Sequence, residues 1–184
     1  MKRRVFFVLA LVAGFSVHAL AQGAPTVVIV VRHAEKGTTP ANDSPLTEAG
    51  MARARALAAA LADADVQAVI STPLTRTRET ARPTAEAHGV TIEYVATGPA
   101  AEHAKAVAEM VRKHGGKTVL VVGHSNTVAP IIAALGGPKM PDLCDSQYAS
   151  LFMLVINGST TKVVRGTYGE PSPDLTGACA NKMY

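Results

Sequence analysis

Two apolar runs, Thr26-Val-Val-Ile-Val-Val-Arg32 and Thr118-Val-Leu-Val-Val-Gly123, stop abruptly, and a histidine follows each at once: His33 and His124. Strands with Val, Ile and Leu on both faces tolerate water on neither, so they belong inside a parallel sheet covered by helices on both sides. In open sheets of this kind ligands sit at the carboxyl ends of the strands. Two imidazoles far apart in sequence can therefore meet at one site.

The chain between and after these runs alternates accordingly. A polar loop from Lys36 to Pro45 precedes Leu46-Thr47-Glu48-Ala49-Gly50, which opens a helix with Met51, Ala54, Leu57, Ala58 and Leu61 on one face. A short strand at Ala68 to Ile70 reaches Ser71-Thr72-Pro73. Thr72 suits an N-cap and Pro73 the first helical position, and the helix ends at His88-Gly89. Ile92 to Val95 reads as a strand, Glu102 to His114 as a helix stopped by Gly115-Gly116, and Ser125 as the cap of a helix carrying Val128, Ile131, Ile132 and Leu135. Ser150 to Ile156 and Lys162 to Thr167 flank Asn157-Gly158-Ser159 as a hairpin. The expected fold is α/β: a mainly parallel sheet flanked by helices on both faces, with a C-terminal hairpin, in one domain over residues 22–184.

Residues 1–21 are read as a signal peptide. Lys2, Arg3 and Arg4 precede a largely apolar stretch from Val5 to Leu20, and Ala19-Leu20-Ala21 supplies the small-x-small pattern of a cleavage site. The expected location is periplasmic or secreted, with no stable membrane insertion after cleavage. Cleavage removes three of the 18 basic residues, leaving 15 against 14 acidic ones. No basic run is interleaved with aromatics, so a nucleic-acid partner is not expected. Cys144 and Cys179 are a candidate disulfide in an exported chain. Neither has metal-ligand spacing to a histidine.

Three strand ends converge on one edge of the expected sheet. They deliver Arg32, His33 and Glu35; Ser71-Thr72 with Arg76 one turn into the next helix; and His124, Ser125 and Asn126. Two guanidiniums, two imidazoles and a helix start make an anion-directed pocket. The chemistry that fits is phosphoryl transfer, because a guanidinium matches phosphate oxygens and a neutral imidazole nitrogen can attack phosphorus. Asn126 either donates to phosphate or simply starts its helix. A metal site on His33, His124 and Glu35 is disfavoured, since the flanking arginines repel a cation; no metal and no cofactor are expected.

Arg32-His33-Ala34-Glu35, Leu46-Thr47-Glu48-Ala49-Gly50, the segment from Ser71 to Ala81 and Val122-Gly123-His124-Ser125-Asn126 resemble the histidine phosphatase superfamily, the phosphoglycerate-mutase-like group. The resemblance runs from about Val27 to about Leu135, with the motifs in family order. It implies that His33 becomes phosphohistidine and that Arg32, Arg76 and His124 hold the phosphoryl oxygens. The sequence departs from the family's mutases in lacking a glutamate after the third strand, where Val95-Ala96-Thr97-Gly98-Pro99-Ala100 stands. It also carries Ser125, not aspartate, after the second histidine. The leaving-group acid is therefore open between Glu35 and Glu102, and Glu35 could instead form a salt bridge to Lys36 or a loop arginine. The chain lacks the insertions of mutases, and a small phosphatase is the better match.

Other residues receive plainer readings. Arg78 faces solvent or pairs with a glutamate, Glu79 pairs with Arg82, His88 and His114 close helix ends, and His103 lies on or beside the apolar face of its helix without a partner motif. Lys36, Thr38 and Thr39 are placed to touch the substrate beyond its phosphate. The expected activity is hydrolysis of a small-molecule or envelope-linked phosphomonoester. The alternative is a non-catalytic phosphate- or phosphosugar-binding module of the same fold.

Overall fold

The computed structural model describes residues 23–172. The expectations for the leader and for Cys179 concern residues outside that range. Six strands form one sheet: β1 (Thr26–Arg32), β2 (Val66–Ser71), β3 (Ile92–Tyr94), β4 (Thr118–Gly123), β5 (Ser150–Asn157) and β6 (Thr160–Thr167). Their order is β3-β2-β4-β1-β5-β6. The first four are parallel, and β5 and β6 add an antiparallel hairpin on the β1 side. Asn157 pairs with Thr160 across a two-residue turn, where Gly158 has a φ of 57°, the left-handed geometry such a turn requires.

Four helices cover the sheet: α1 (Glu48–Ala60), α2 (Thr75–His88), α3 (Ala100–Arg112) and α4 (Val128–Ala134). The pleat divides each buried strand between two cores. Val28, Val30, Val119 and Val121 pack with α3 and α4 residues such as Val107, Val111 and Ile131. Ile29, Val31, Leu120 and Val122 pack with α1 and α2 residues such as Leu57, Ala81 and Ala85 on the other side. This explains the unbroken apolar runs, since each neighbour points into a different dry layer.

Several local expectations are corrected. Met51 is 42% exposed, and the buried face of α1 consists of Gly50, Arg53, Ala54 and Leu57. Helix α2 starts at Thr75, not at Pro73, and Leu74 at its N-cap makes no side-chain bond. Its cap comes from a distant loop: Asp43 Oδ1 accepts from the Thr75 backbone N–H at 2.7 Å and Oδ2 from its hydroxyl at 2.9 Å. Ser125 does not cap α4. The turn after β4 is closed by Thr127, whose Oγ1 accepts from the His124 backbone N–H at 2.8 Å. Glu79 is engaged by the Leu46 backbone N–H at 2.7 Å. The helix-end readings hold: His88 Nε2 donates to the Leu61 carbonyl beside the left-handed Gly89, and His114 lies 2.6 Å from Glu93.

Candidate active site

Register builds the site. Strands β1 and β4 are adjacent and in phase, with Arg32 opposite Gly123, and the His33 backbone N–H donates to the Gly123 carbonyl at 2.9 Å. The two following histidines are therefore forced side by side, with ring centroids 5.4 Å apart and planes at 64°. Gly123 is glycine for a steric reason: a Cβ there would lie 2.9 Å from Thr127 Oγ1, inside the turn that aims His124.

His33 is buried. Its Nδ1 donates to the Ala34 carbonyl at 2.8 Å, which fixes the tautomer and leaves Nε2 with a lone pair. Burial pushes its pKa down from 6.5 to about 3; the Ala34 carbonyl opposes this, while Arg32, His124 and Arg76 add to it. The imidazole is neutral at pH 7. His124 is lowered to about 4, by burial first and then by Arg76, His103 and Arg32. Its Nε2 shares a 3.2 Å bond with Thr72 Oγ1, itself 2.7 Å from Thr77 Oγ1. Thr72 thus orients His124 rather than capping a helix.

Arg32 is buried and held from the far side. Its Nη1 donates to the Cys144 and Asp145 carbonyls, both at 2.9 Å, and its guanidinium lies 4.2 Å from the centre of the Tyr148 ring. Tyr148 also reaches His33, at 6.3 Å between ring centres. Arg76 approaches from the first turn of α2, and its Nη1 donates to the Asn42 carbonyl at 3.4 Å. A cavity of about 320 Å³ opens between these groups, a size suited to a small molecule rather than to a bare phosphoryl group. Lys36, Asn126 and Asp145 line it as well, whereas Thr38 and Thr39 are exposed and do not.

Glu35 is not in this cavity. It turns to the opposite side of the loop and pairs with Arg53 of α1: Nε lies 2.9 and 3.0 Å from its two oxygens, and Nη2 lies 2.7 Å from Oε1. Arg53 also donates to the Tyr168 and Glu170 carbonyls. The arginine anticipated as one possible partner of Glu35 is thus on a helix, not a loop, and the carboxylate serves the scaffold. Glu102 is exposed on α3 and does not line the cavity either. Among the described residues no group of three or more His, Cys, Asp or Glu could hold a metal ion.

His103 corrects the plainer reading. It lies at the buried start of α3, its Nδ1 donates to the Ala96 carbonyl at 2.9 Å, and it lines the same cavity as His33 and His124. A histidine one turn after Pro99, just past the third strand, was the available signal.

The motif Leu46-Thr47-Glu48-Ala49-Gly50 also finds its reason here. A bridge joins Lys36 to Leu46, the Thr47 backbone N–H donates to the Glu35 carbonyl at 3.0 Å, and Thr47 Oγ1 caps α1 by accepting from the Gly50 N–H. Gly50 lets the helix lie directly on the backbone of Glu35, in the loop that follows His33.

Comparison with known proteins agrees with this fold. Residues 28–97 match the model of the histidine phosphatase superfamily (branch 1). No curated protein sequence matches the chain. Among solved structures, YhfR from Bacillus stearothermophilus is 21% identical with a TM-score of 0.60, covering 75% of this chain and 95% of its own. The protein histidine phosphatase SixA complexed with tungstate is 16% identical with a TM-score of 0.58, covering 77% and 96%. Phosphoglycerate mutase from Bacillus anthracis is 18% identical with a TM-score of 0.61, covering 78% and 93%. The resemblance carried by the motifs is thereby borne out: residues 28–97 match the histidine phosphatase superfamily, and the described fold is that of its phosphoglycerate-mutase-like members.

Proposed function

We propose that this chain is a phosphatase that hydrolyses a phosphomonoester through a covalent phosphohistidine on Nε2 of His33. The observation that carries the reading is the Nδ1 bond from His33 to the Ala34 carbonyl. It leaves Nε2 free beside Arg32, Arg76 and His124 at the mouth of one cavity. A neutral imidazole held in one tautomer is a competent nucleophile, and fixed cations suit the charge that spreads over the phosphoryl oxygens. His124 enters neutral, and an incoming phosphate dianion favours its cationic form, so it shifts charge to where the anion sits. Asn126, exposed on the rim, is assigned to a peripheral oxygen. The SixA relative's tungstate complex is in keeping with an oxyanion pocket on this fold.

The leader-like residues 1–21 support a location outside the cytoplasm and a small or envelope-linked phosphate ester as substrate, with Cys144 and Cys179 as a proposed disulfide. A second reading, a phosphate-binding module without turnover, is favoured by the commitment of Glu35 to Arg53. One experiment separates them. Wild type and His33→Ala are compared on a panel of aryl and sugar phosphates with and without chelator, and the phosphoenzyme is trapped by alkaline quench. Turnover and an alkali-stable, acid-labile phosphoprotein, both lost in His33→Ala, are expected. Equal rates for the two proteins would leave only the binding module.

A further inference from the structure

An alcohol expelled from phosphorus needs a proton, and the described cavity holds one carboxylate, Asp145. Its side chain is 96% exposed and pairs with the Arg32 guanidinium at 3.6 Å, so it stands at the solvent side of the cavity as a partner of that arginine. Glu35 is bound to Arg53, and Glu102 lies outside the cavity. His103 remains. Its neighbours Ala104 and Val107 belong to the hydrophobic core, yet the imidazole itself is on the cavity wall. With Nδ1–H committed to the Ala96 carbonyl at 2.9 Å, Nε2 is the atom free to address the contents of the cavity. An imidazole nitrogen can both donate and accept a proton, the property a general acid and base requires.

We infer that His103 is the general acid and base of the reaction, and that the substrates are phosphate esters of ordinary alcohols, whose leaving oxygen must be protonated. The inference rests on the reading given under Proposed function. In the first step the His33 Nε2 lone pair forms the N–P bond as the P–O ester bond breaks, and the departing oxygen takes the proton from His103 Nε2. In the second step the neutral His103 accepts a proton from water as the water oxygen attacks phosphorus. The N–P bond then breaks, its electron pair returns to His33, and inorganic phosphate leaves.

The test is a leaving-group series: 4-nitrophenyl, phenyl and benzyl phosphate, assayed with wild type, His103→Asn and His103→Gln. A general acid typically contributes about 10²–10⁴-fold. Asn retains a donor for the Ala96 carbonyl, so a fold defect is not the expected cause of a loss. The variants are expected to lose ~10²-fold or more on benzyl phosphate, with only a small loss on 4-nitrophenyl phosphate, whose leaving group needs little help. Equal losses across the series overturn the assignment. Wild type inactive on every ester would instead overturn the phosphatase reading itself, and His33→Ala serves as its control.

Discussion

Replacing Gly50 with alanine sets two effects of opposite sign against each other. Gly50 lies in the first turn of α1 and is not among the positive-φ residues, so on helix propensity alone the change would stabilise by about 1 kcal/mol. Packing decides otherwise. A Cβ built on Gly50 lies 2.1 Å from the Glu35 carbonyl oxygen, 3.0 Å from its carbon and 3.1 Å from its nitrogen. All three are backbone atoms, and the carbonyl is held by the Thr47 backbone N–H at 3.0 Å. No rotamer can relieve the contact, so helix and loop must separate. Overpacking costs roughly 1–3 kcal/mol, and straining the Thr47 bond adds about 1 kcal/mol. After the propensity gain the net loss is about 1–3 kcal/mol, or roughly 2–12 °C in Tm for a domain of this size. Activity should fall too, because Glu35 is two residues from His33. Urea denaturation of Gly50→Ala is compared with Gly166→Ala, where a Cβ meets nothing within 4 Å. A Gly50→Ala protein as stable as wild type, or a Gly166→Ala protein equally damaged, would refute the steric argument.

Further predictions concern the pocket. His33 and His124 have pKa values lowered to about 3 and about 4, so between those values and 6.5 the unfolded chain binds protons that the folded chain does not. The stability they confer is complete above pH ~6.5 and is lost as pH falls towards 4 and 3; the urea midpoint should be lower at pH 5 than at pH 7, and less so in His33→Ala. Arg32→Lys keeps the charge but loses the fork that grips the Cys144 and Asp145 carbonyls, and kcat/KM should fall ~10²–10³-fold; a near-wild-type value would show that charge alone suffices. Asp43→Ala removes the remote cap of α2 and should cost about 1 kcal/mol in denaturation while weakening inorganic phosphate binding, because Arg76 sits on the turn it steadies.

The architecture was legible because its signals were redundant. Unbroken apolar strands, glycine stops and the Asn157-Gly158 turn each have one good structural solution, and they agree with one another. The convergence of His33, His124, Arg32 and Arg76 was legible for the same reason: each ends or begins an element at one sheet edge. What escaped were side chains whose partners lie far away in sequence. Thr72 had the composition of a cap, yet it bonds His124, and the cap is Asp43, some thirty residues earlier. Arg53 sits in an otherwise apolar helical stripe, and only the fold brings Glu35 and the Tyr168 carbonyl to it. His103 looked like a core residue for want of a motif; the loop from Val95 to Pro99 brings it to the cavity.

Both flanks of the loop bearing His33 are fastened to late parts of the chain, Arg32 to the carbonyls of residues 144 and 145, and Arg53 behind Glu35 to those of 168 and 170. A ribosome therefore delivers the histidine early and its fasteners last. Nascent chains that stop short of the final hairpin lack the carbonyls that Arg53 grips, so the loop bearing His33 is braced on both flanks only after β6 has been made.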